Sequence, residues 1–444
     1  MSTRTTPTLP AHGTPATRQP RAYQPDEAFA RQLDAADPLF AYRDRFHIPS
    51  GPGGGACVYL CGNFLGLQPK AVRQKLDEQL DNWARLGCSS YFDASPPWID
   101  LEDSLRVPLA RLVGAQPAEV ALMGTVTSNL HALLTSFYRP TPTRYRVLIE
   151  EHAFPSDRYV LQSHLRRHGF DPEAGLIEVK ARPGEAALRT ADLEALLETE
   201  GETVALVFLG GVNYYTGQAF DLARVAQVGQ ARGCVVGADL AHAVGNVRLA
   251  LHDAGIDFAT WCHSKYVNAD PGGVAGFFVH ARHGEAAALP RQAGWWGHRD
   301  FRRLFPLPSA FTPTAGAAGW RQGGPPILSL AALAACLEIF TEVGLDALFA
   351  KRDRLTGYGE FLLGRLPPGC CSLLTPGDPR QLGSQLSIRV RGDGAALAGR
   401  LGRRGILCTA RGTDVLRVAL APLYNTYRDV FTFWQALAEL LPPG

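Results

Sequence analysis

No apolar run in the 444 residues reaches the roughly 18 that suggest a membrane-spanning helix, so no membrane partner is expected. Neither charge dominates. Lys and Arg number 44 against 42 Asp and Glu, and no basic stripe points to nucleic acid. The nine cysteines include no CxxC pair: Cys57 and Cys61 lie four apart, and Cys370 and Cys371 are adjacent. That spacing predicts reduced, mostly buried thiols in a cytoplasmic protein, and no metal site. No internal repeat is present. Residues 1–25 contain no acidic residue and no apolar h-region, which argues against a secretory signal. Five prolines there oppose the amphipathic helix of a transit peptide, so a disordered tail is expected. The length leaves room for two domains with sizeable cores.

What is present centres on one lysine. The apolar run Cys234–Ala238 reads as a buried strand of a parallel sheet and ends on Asp239. A carboxylate at the C-terminal end of such a strand lies where open α/β sheets bind ligands. His242 follows three residues later. A second apolar run, Asp257–Cys262, delivers Lys265 just past its end, and Pro271-Gly272-Gly273 turns the chain away. Pyridoxal phosphate needs a lysine amine for its aldehyde and a carboxylate that keeps its ring nitrogen protonated. Spacing alone leaves a bland reading open, with Asp239 capping a helix, His242 in the core and Lys265 on the surface.

Elsewhere the apolar pattern predicts strands at about 119–123, 146–150, 175–179, 203–209 and 274–279, alternating with helices. With the two runs above, that ordering predicts a mainly parallel seven-stranded sheet between helices, an α/β fold. Residues 328–343 and 345–366 read as helices, and 384–420 as short strands of a smaller C-terminal α+β domain. Gly124–Asn129 is a hydroxyl-bearing turn before a helix expected from Leu130. Its free N–H groups suit a phosphate, although without context an ordinary cap by Thr127 or Ser128 is the favoured reading. Read alone, FPSD at 154–157 is a turn with a capping aspartate, and Arg417 is a surface strand arginine.

The stretches DLAHAVGN (239–246) and CHSKYVNADPGG (262–273) closely resemble the kynureninases, members of the fold-type I pyridoxal-phosphate enzymes. CGNFLG (61–66), HAFPSD (152–157), GGVNYYTGQ (210–218), GWWGH (294–298), GWRQGGPPILSL (319–330) and VLRVALAPLYNT (415–426) extend the likeness over about residues 26–440. The resemblance implies that Lys265 bonds the cofactor, Asp239 pairs with its ring nitrogen and His242 helps to hold it. Val126 and Thr127 would meet the phosphate. Phe154 would pack on the ring, with Pro155, Ser156 and Asp157 beside it, and Trp295 would touch the phosphate, partly across a homodimer interface. Arg417 would grip the α-carboxylate of an amino-acid substrate. The implied divisions are a segment at 26–66 packed on the small domain, a cofactor-binding domain at 67–327 and a small domain at 328–444.

Four positions depart from the family pattern. Ser264 stands where a tyrosine usually precedes the lysine, Phe64 replaces a loop serine, Tyr91 replaces a histidine over the substrate ring, and Gly324 replaces an asparagine at the cofactor edge. The adjacent His263 offers a donor, but along a strand it would point the other way. The implied reaction is cleavage of the Cβ–Cγ bond of L-kynurenine or 3-hydroxykynurenine to an anthranilate and L-alanine. The departures keep open a different amino-acid substrate, or a protein that binds the cofactor without catalysis.

Overall fold

The computed structural model describes residues 23–285, 288–303 and 306–441. Most of the tail expected over 1–25 lies outside them. After the short strand β1 (Val58–Tyr59), seven strands build the central sheet. They are β2 (Val120–Met123), β3 (Arg146–Glu150), β4 (Leu176–Val179), β5 (Val204–Gly210), β6 (Val235–Asp239), β7 (Phe258–Trp261) and β8 (Ala275–Val279). Their spatial order is β2-β8-β7-β6-β5-β3-β4. Only β8 is reversed, pairing antiparallel with both β2 and β7. The reversal needs no crossover helix because a glycine turn makes it. Gly272 has φ +75°, and a Cβ on Gly273 would stand 1.6 Å from an Asp270 carboxylate oxygen.

Parallel strands are covered on both faces and so read as continuous apolar runs. In β5 every residue from Val204 to Leu209 is buried. The two faces of the sheet carry separate apolar clusters, one of them continuous with helices Trp98–Val113 and Ile327–Val343. No single helix among the described residues is long and apolar enough to cross a membrane.

A second core gathers on a smaller antiparallel sheet. Its strands are β9 (Cys371–Leu373), β10 (Gln385–Val390), β12 (Thr409–Arg411) and β13 (Val415–Ala419), ordered β12-β13-β10-β9, while β11 (Ile406–Leu407) pairs with β1 instead. Side chains alternate along these strands. Leu386, Ile388, Val390, Leu416 and Val418 enter the core under helices Leu345–Leu363 and Tyr427–Leu440. Gln385, Ser387 and Arg417 occupy the opposite face. The N-terminal helix Glu27–Ala35 adds Ala30 to this core. Its Asp34 accepts from the N–H groups of Tyr427 (2.6 Å) and Arg428 (3.2 Å), satisfying amides that open a helix.

Candidate active site

Three strands deliver residues to one edge of the central sheet. β3 ends on Glu150, β5 on Gly210 and β6 on Asp239, with Gly210 and Asp239 paired in register. β4 and β5 flank β3 on opposite sides, so strand order reverses there, where open α/β sheets carry ligands. Lys265 lies just past β7, half-buried, with Nζ 3.3 Å from the Cys262 sulfur. Its backbone is pressed by the loop after β1: Gly66 N–H donates to the Ser264 carbonyl at 2.7 Å, and a Cβ on Gly66 would stand 2.3 Å from the Lys265 carbonyl oxygen. Only glycine fits there.

The wall beside Lys265 is acidic. Asp239 is buried and accepts from the Ala241 N–H at 2.8 Å. Asp157 is hydrogen-bonded to it from the first turn of helix Pro155–Arg167. FPSD is therefore a helix start, with Phe154 at the cap, Pro155 and Ser156 following, and Asp157 buried rather than capping. Burial raises both carboxyls. Asp157 rises well above the usual range because the charge of Asp239 adds to its desolvation, while the Lys265 ammonium lowers both. Glu150 is pushed up to about 7, chiefly by burial, against the opposing hydrogen bond from Gly210 N–H at 3.0 Å. None of these three carboxyls has an ion pair among the described residues.

A second group is basic. Arg417 on β13 is 1% exposed, so it is not the surface arginine that its strand alone suggests. One guanidinium nitrogen donates to the Tyr214 carbonyl at 2.6 Å, while Nε is buried without a partner. Burial first, then the Arg411 charge, brings Arg417 down to about 10, which leaves it a cation at neutral pH. His242 is buried with Nδ1 unpartnered. Desolvation, then the charges of Lys265, Arg417 and Arg411, hold it well below its ordinary value and therefore neutral.

The loop Asn213–Thr216 meets this basic group at Arg417. Asn213 Oδ1 accepts from the N–H groups of Tyr215 and Thr216, each at 3.0 Å, and so curls the loop. Its outward carbonyls then take donors from the small sheet. Gln385 Nε2 reaches Tyr214 at 3.0 Å, and Ser387 Oγ reaches Tyr215 at 2.7 Å. Gln385 Oε1 also accepts from Asn63 Nδ2 at 2.8 Å.

The helix expected from Leu130 begins at Val126, and its cap is Thr125 rather than Thr127 or Ser128. Thr125 Oγ1 accepts from Ser128 N–H at 3.2 Å, and Ser128 Oγ accepts from Thr125 N–H at 2.8 Å. This reciprocal pair starts the helix ahead of the apolar pattern that marks it in sequence. Val126 and Thr127 become its first two residues, whose N–H groups have no intrahelical acceptor.

The remaining positions form a more aromatic group. Tyr91 and Trp295 pack against Ile99, Trp296 and Phe301, and a Cβ on Gly324 would lie 3.8 Å from the Trp296 ring and 4.0 Å from that of Trp295. Phe64 is 60% exposed, and Phe154 is exposed with its ring edge-on to Tyr214 at 5.3 Å. Ser264 is half-buried. His263 accepts from Trp261 Nε1 at 2.9 Å through Nε2 and so donates through Nδ1 to the Val274 carbonyl at 2.7 Å. Both nitrogens are committed, so it offers no donor in place of the missing tyrosine.

Away from this edge, Glu119, His252 and His280 bring one potential metal-ligand atom each within 4.8 Å of one another. Hydrogen bonds already engage them. His252 Nδ1 meets Glu119 at 2.8 Å, and His280 Nδ1 accepts from Arg282 N–H at 3.1 Å.

The kynureninase C-terminal domain matches residues 348–437. Over 418 residues the chain is 50% identical to the kynureninase of Myxococcus xanthus (strain DK1622), covering 94% of this chain and 98% of that one. It is 48% identical over 414 residues to the kynureninase of Koribacter versatilis (strain Ellin345), covering 93% and 97%. The chain belongs to the kynureninase family.

Kynureninases are pyridoxal-phosphate-dependent hydrolases that cleave carbon–carbon bonds. Solved structures share the fold at lower identity. The cysteine desulfurase CsdA from Escherichia coli gives a TM-score of 0.73 at 19% identity, covering 91% of this chain and 99% of that one. The cystine C–S lyase C-DES gives 0.73 at 19%, covering 88% and 100%.

The donor set fits the kynureninase cofactor. Two helix-opening amides suit a phosphate, and the buried Asp157–Asp239 pair, which has no ion pair among the described residues, suits a protonated ring nitrogen. Sequence reading passed over Glu150, although it ends a buried apolar strand just as Asp239 does. It also passed over Cys262, Tyr214 and Arg411. The roles of Cys262 and Tyr214 depend on a side-chain rotamer and a backbone carbonyl, neither of which leaves a trace in residue type.

Proposed function

We propose that this kynureninase-family chain hydrolyses the Cβ–Cγ bond of L-kynurenine or 3-hydroxykynurenine, releasing an anthranilate and L-alanine. One observation carries the reading: Lys265 acts on the buried Asp157–Asp239 pair, and both it and the buried Arg417, which has no acid partner among the described residues, act on the buried His242. Val126 and Thr127 hold the cofactor phosphate through their N–H groups, Asp239 faces the ring nitrogen, and Asp157 steadies Asp239. His242, Phe154, Pro155 and Ser156 flank the ring. Bound pyridoxal phosphate supplies the electron sink that makes the substrate Cα–H acidic.

Arg417 takes the α-carboxylate, for which two parallel N–H donors are the natural partner. That contact orients the Cα–H toward Lys265, whose Nζ accepts the α-proton and later returns a proton. Cys262 gives the free amine a resting contact. Water adds to the γ-carbonyl before the carbon–carbon bond breaks. Tyr91, Trp295 and Gly324 complete the site of a second copy in a cytoplasmic homodimer, with Trp295 on the phosphate. Phe64 lines the mouth. Residues 67–327 form the cofactor-binding domain and 328–444 the small domain, on which 26–66 pack.

A reshaped aromatic pocket favours a second reading, a kynurenine analogue as substrate. Gly324 opens space beside Trp295 and Trp296, while Phe64 adds exposed bulk. Anthranilate fluorescence on adding L-kynurenine to the cofactor-loaded protein separates the two. Turnover supports the first. A substrate-dependent change in cofactor absorbance without anthranilate supports the second.

A further inference from the structure

Three arginines belong to the face of the small sheet that meets the Tyr214–Tyr215 loop, and their partners differ. Register places Ser387 and Thr409 on either side of Arg417, and Arg389 and Arg411 on either side of Val415. Residues opposite one another or two apart share a face, so all three arginines lie on the side away from the second core. Arg411 is diagonal to Arg417, at a Cβ separation of about 7–8 Å or somewhat less. Arg389 has an acid, Asp414 at 3.2 Å. Arg417 has none among the described residues.

Arg411 has none either. Its guanidinium donates to the neighbouring Ala410 carbonyl at 2.8 Å. It is half-buried at the end of the edge strand β12, and the next residue abuts the aromatic loop: a Cβ on Gly412 would lie 3.8 Å from the Tyr215 hydroxyl. Two cations on one face with no acid between them repel each other in the empty fold. The Arg411 charge is felt at both Arg417 and His242, which makes protonation of each less favourable. An anionic ligand turns that repulsion into attraction.

We propose that Arg411 is the outer member of a two-arginine recognition site for the substrate α-carboxylate, drawing the anion toward Arg417 and selecting it over uncharged analogues. This inference rests on the amino-acid-substrate reading above. It assigns Arg411 to binding and substrate choice, with no part in proton transfer.

The test uses the full-length, cofactor-loaded protein and two ligands that differ in one charge, L-alanine and L-alaninamide, titrated by cofactor absorbance. Arg411→Gln keeps a polar side chain and removes the cation. It should weaken L-alanine about tenfold and L-alaninamide less than twofold, as expected for a charge roughly 7 Å away in a partly desolvated site. Arg411→Lys should recover most of the loss, and added salt should weaken L-alanine less steeply in the Gln variant than in the parent. With L-kynurenine the loss should fall on KM more than on kcat. Equal weakening of both ligands, or unchanged L-alanine affinity, overturns the proposal. A parent protein that distinguishes L-alanine from its amide but releases no anthranilate overturns the kynurenine reading instead.

Discussion

The carboxyls at the ends of the central strands and the arginines on the small sheet handle burial differently. Asp157, Asp239 and Glu150 have no ion pair among the described residues, and burial raises all three, with the Lys265 ammonium opposing it at the two aspartates. Arg417 is lowered by burial, but even at about 10 it stays charged at neutral pH. The raised carboxyls can take up or release a proton more readily near neutral pH than ordinary ones, whereas the arginine stays charged throughout. A site built this way changes with pH at its carboxyls and with ligand charge at its arginine.

Removing Lys265 should have the largest effect. Lys265→Ala should lower turnover by about 10⁴-fold or more, since it removes both the cofactor bond and the proton carrier. The absorbance band of the lysine-bound cofactor should vanish, and a persistent band that borohydride fixes onto the variant would assign the bond to another residue.

Arg417→Met separates function from folding. Catalytic efficiency should fall by about 10²–10³, the effect of losing a buried charged partner. The ligand-free protein should become no less stable, and its Tm should stay level or rise, because an unpaired buried cation is replaced by an apolar chain of similar length. A fall of several degrees would mean that the arginine holds the fold together through Tyr214.

Glu150→Gln tests the acidic wall. The folded carboxyl lies near 7 against an ordinary 4.5, so the native state binds more protons than the unfolded chain. Its stabilising contribution is present below about pH 4.5 and is lost as pH rises toward 7, by on the order of 3 kcal/mol. The cofactor-free variant should lack that decline in denaturant titrations across the window. A decline identical to the parent's would assign the pH dependence to Asp157 and Asp239.

Ser264→Tyr should give the smallest effect, a few-fold gain in cofactor affinity by equilibrium dialysis, because His263 has no free nitrogen to replace the missing phenol. Unchanged affinity would show that another group already serves the phosphate.

The central sheet was legible because a doubly covered strand must be apolar throughout, as β5 is, although edge strand β4 carries Glu178 and is only half-buried over its first three residues. Asp239 and Lys265 close such runs, but their spacing left a bland reading open, and the likeness of DLAHAVGN and CHSKYVNADPGG to kynureninases singled them out. The helix at Val126 was read four residues late, since the Thr125–Ser128 cap consists of hydroxyls and carries no periodicity. Arg417 looked superficial because β13 exchanges its exposed face for a contact with Tyr214, 203 residues away in sequence. Such burial depends on how two layers dock, and alternation along one strand is silent on it.

The Gln385 amide shows when the site can exist at all. Its partners come from the loop after β1, from the aromatic loop after β5 and from its own strand, and the bond to Asn63 closes 322 residues of chain. Contacts of such sequence separation form only after the entropy of closing the intervening chain has been overcome, which makes them late events in folding. The mouth of the site is thus expected to assemble last, from pieces that are already folded. A newly made chain should gain its helices and sheet well before it can retain a cofactor, and a refolding experiment should find those two times apart.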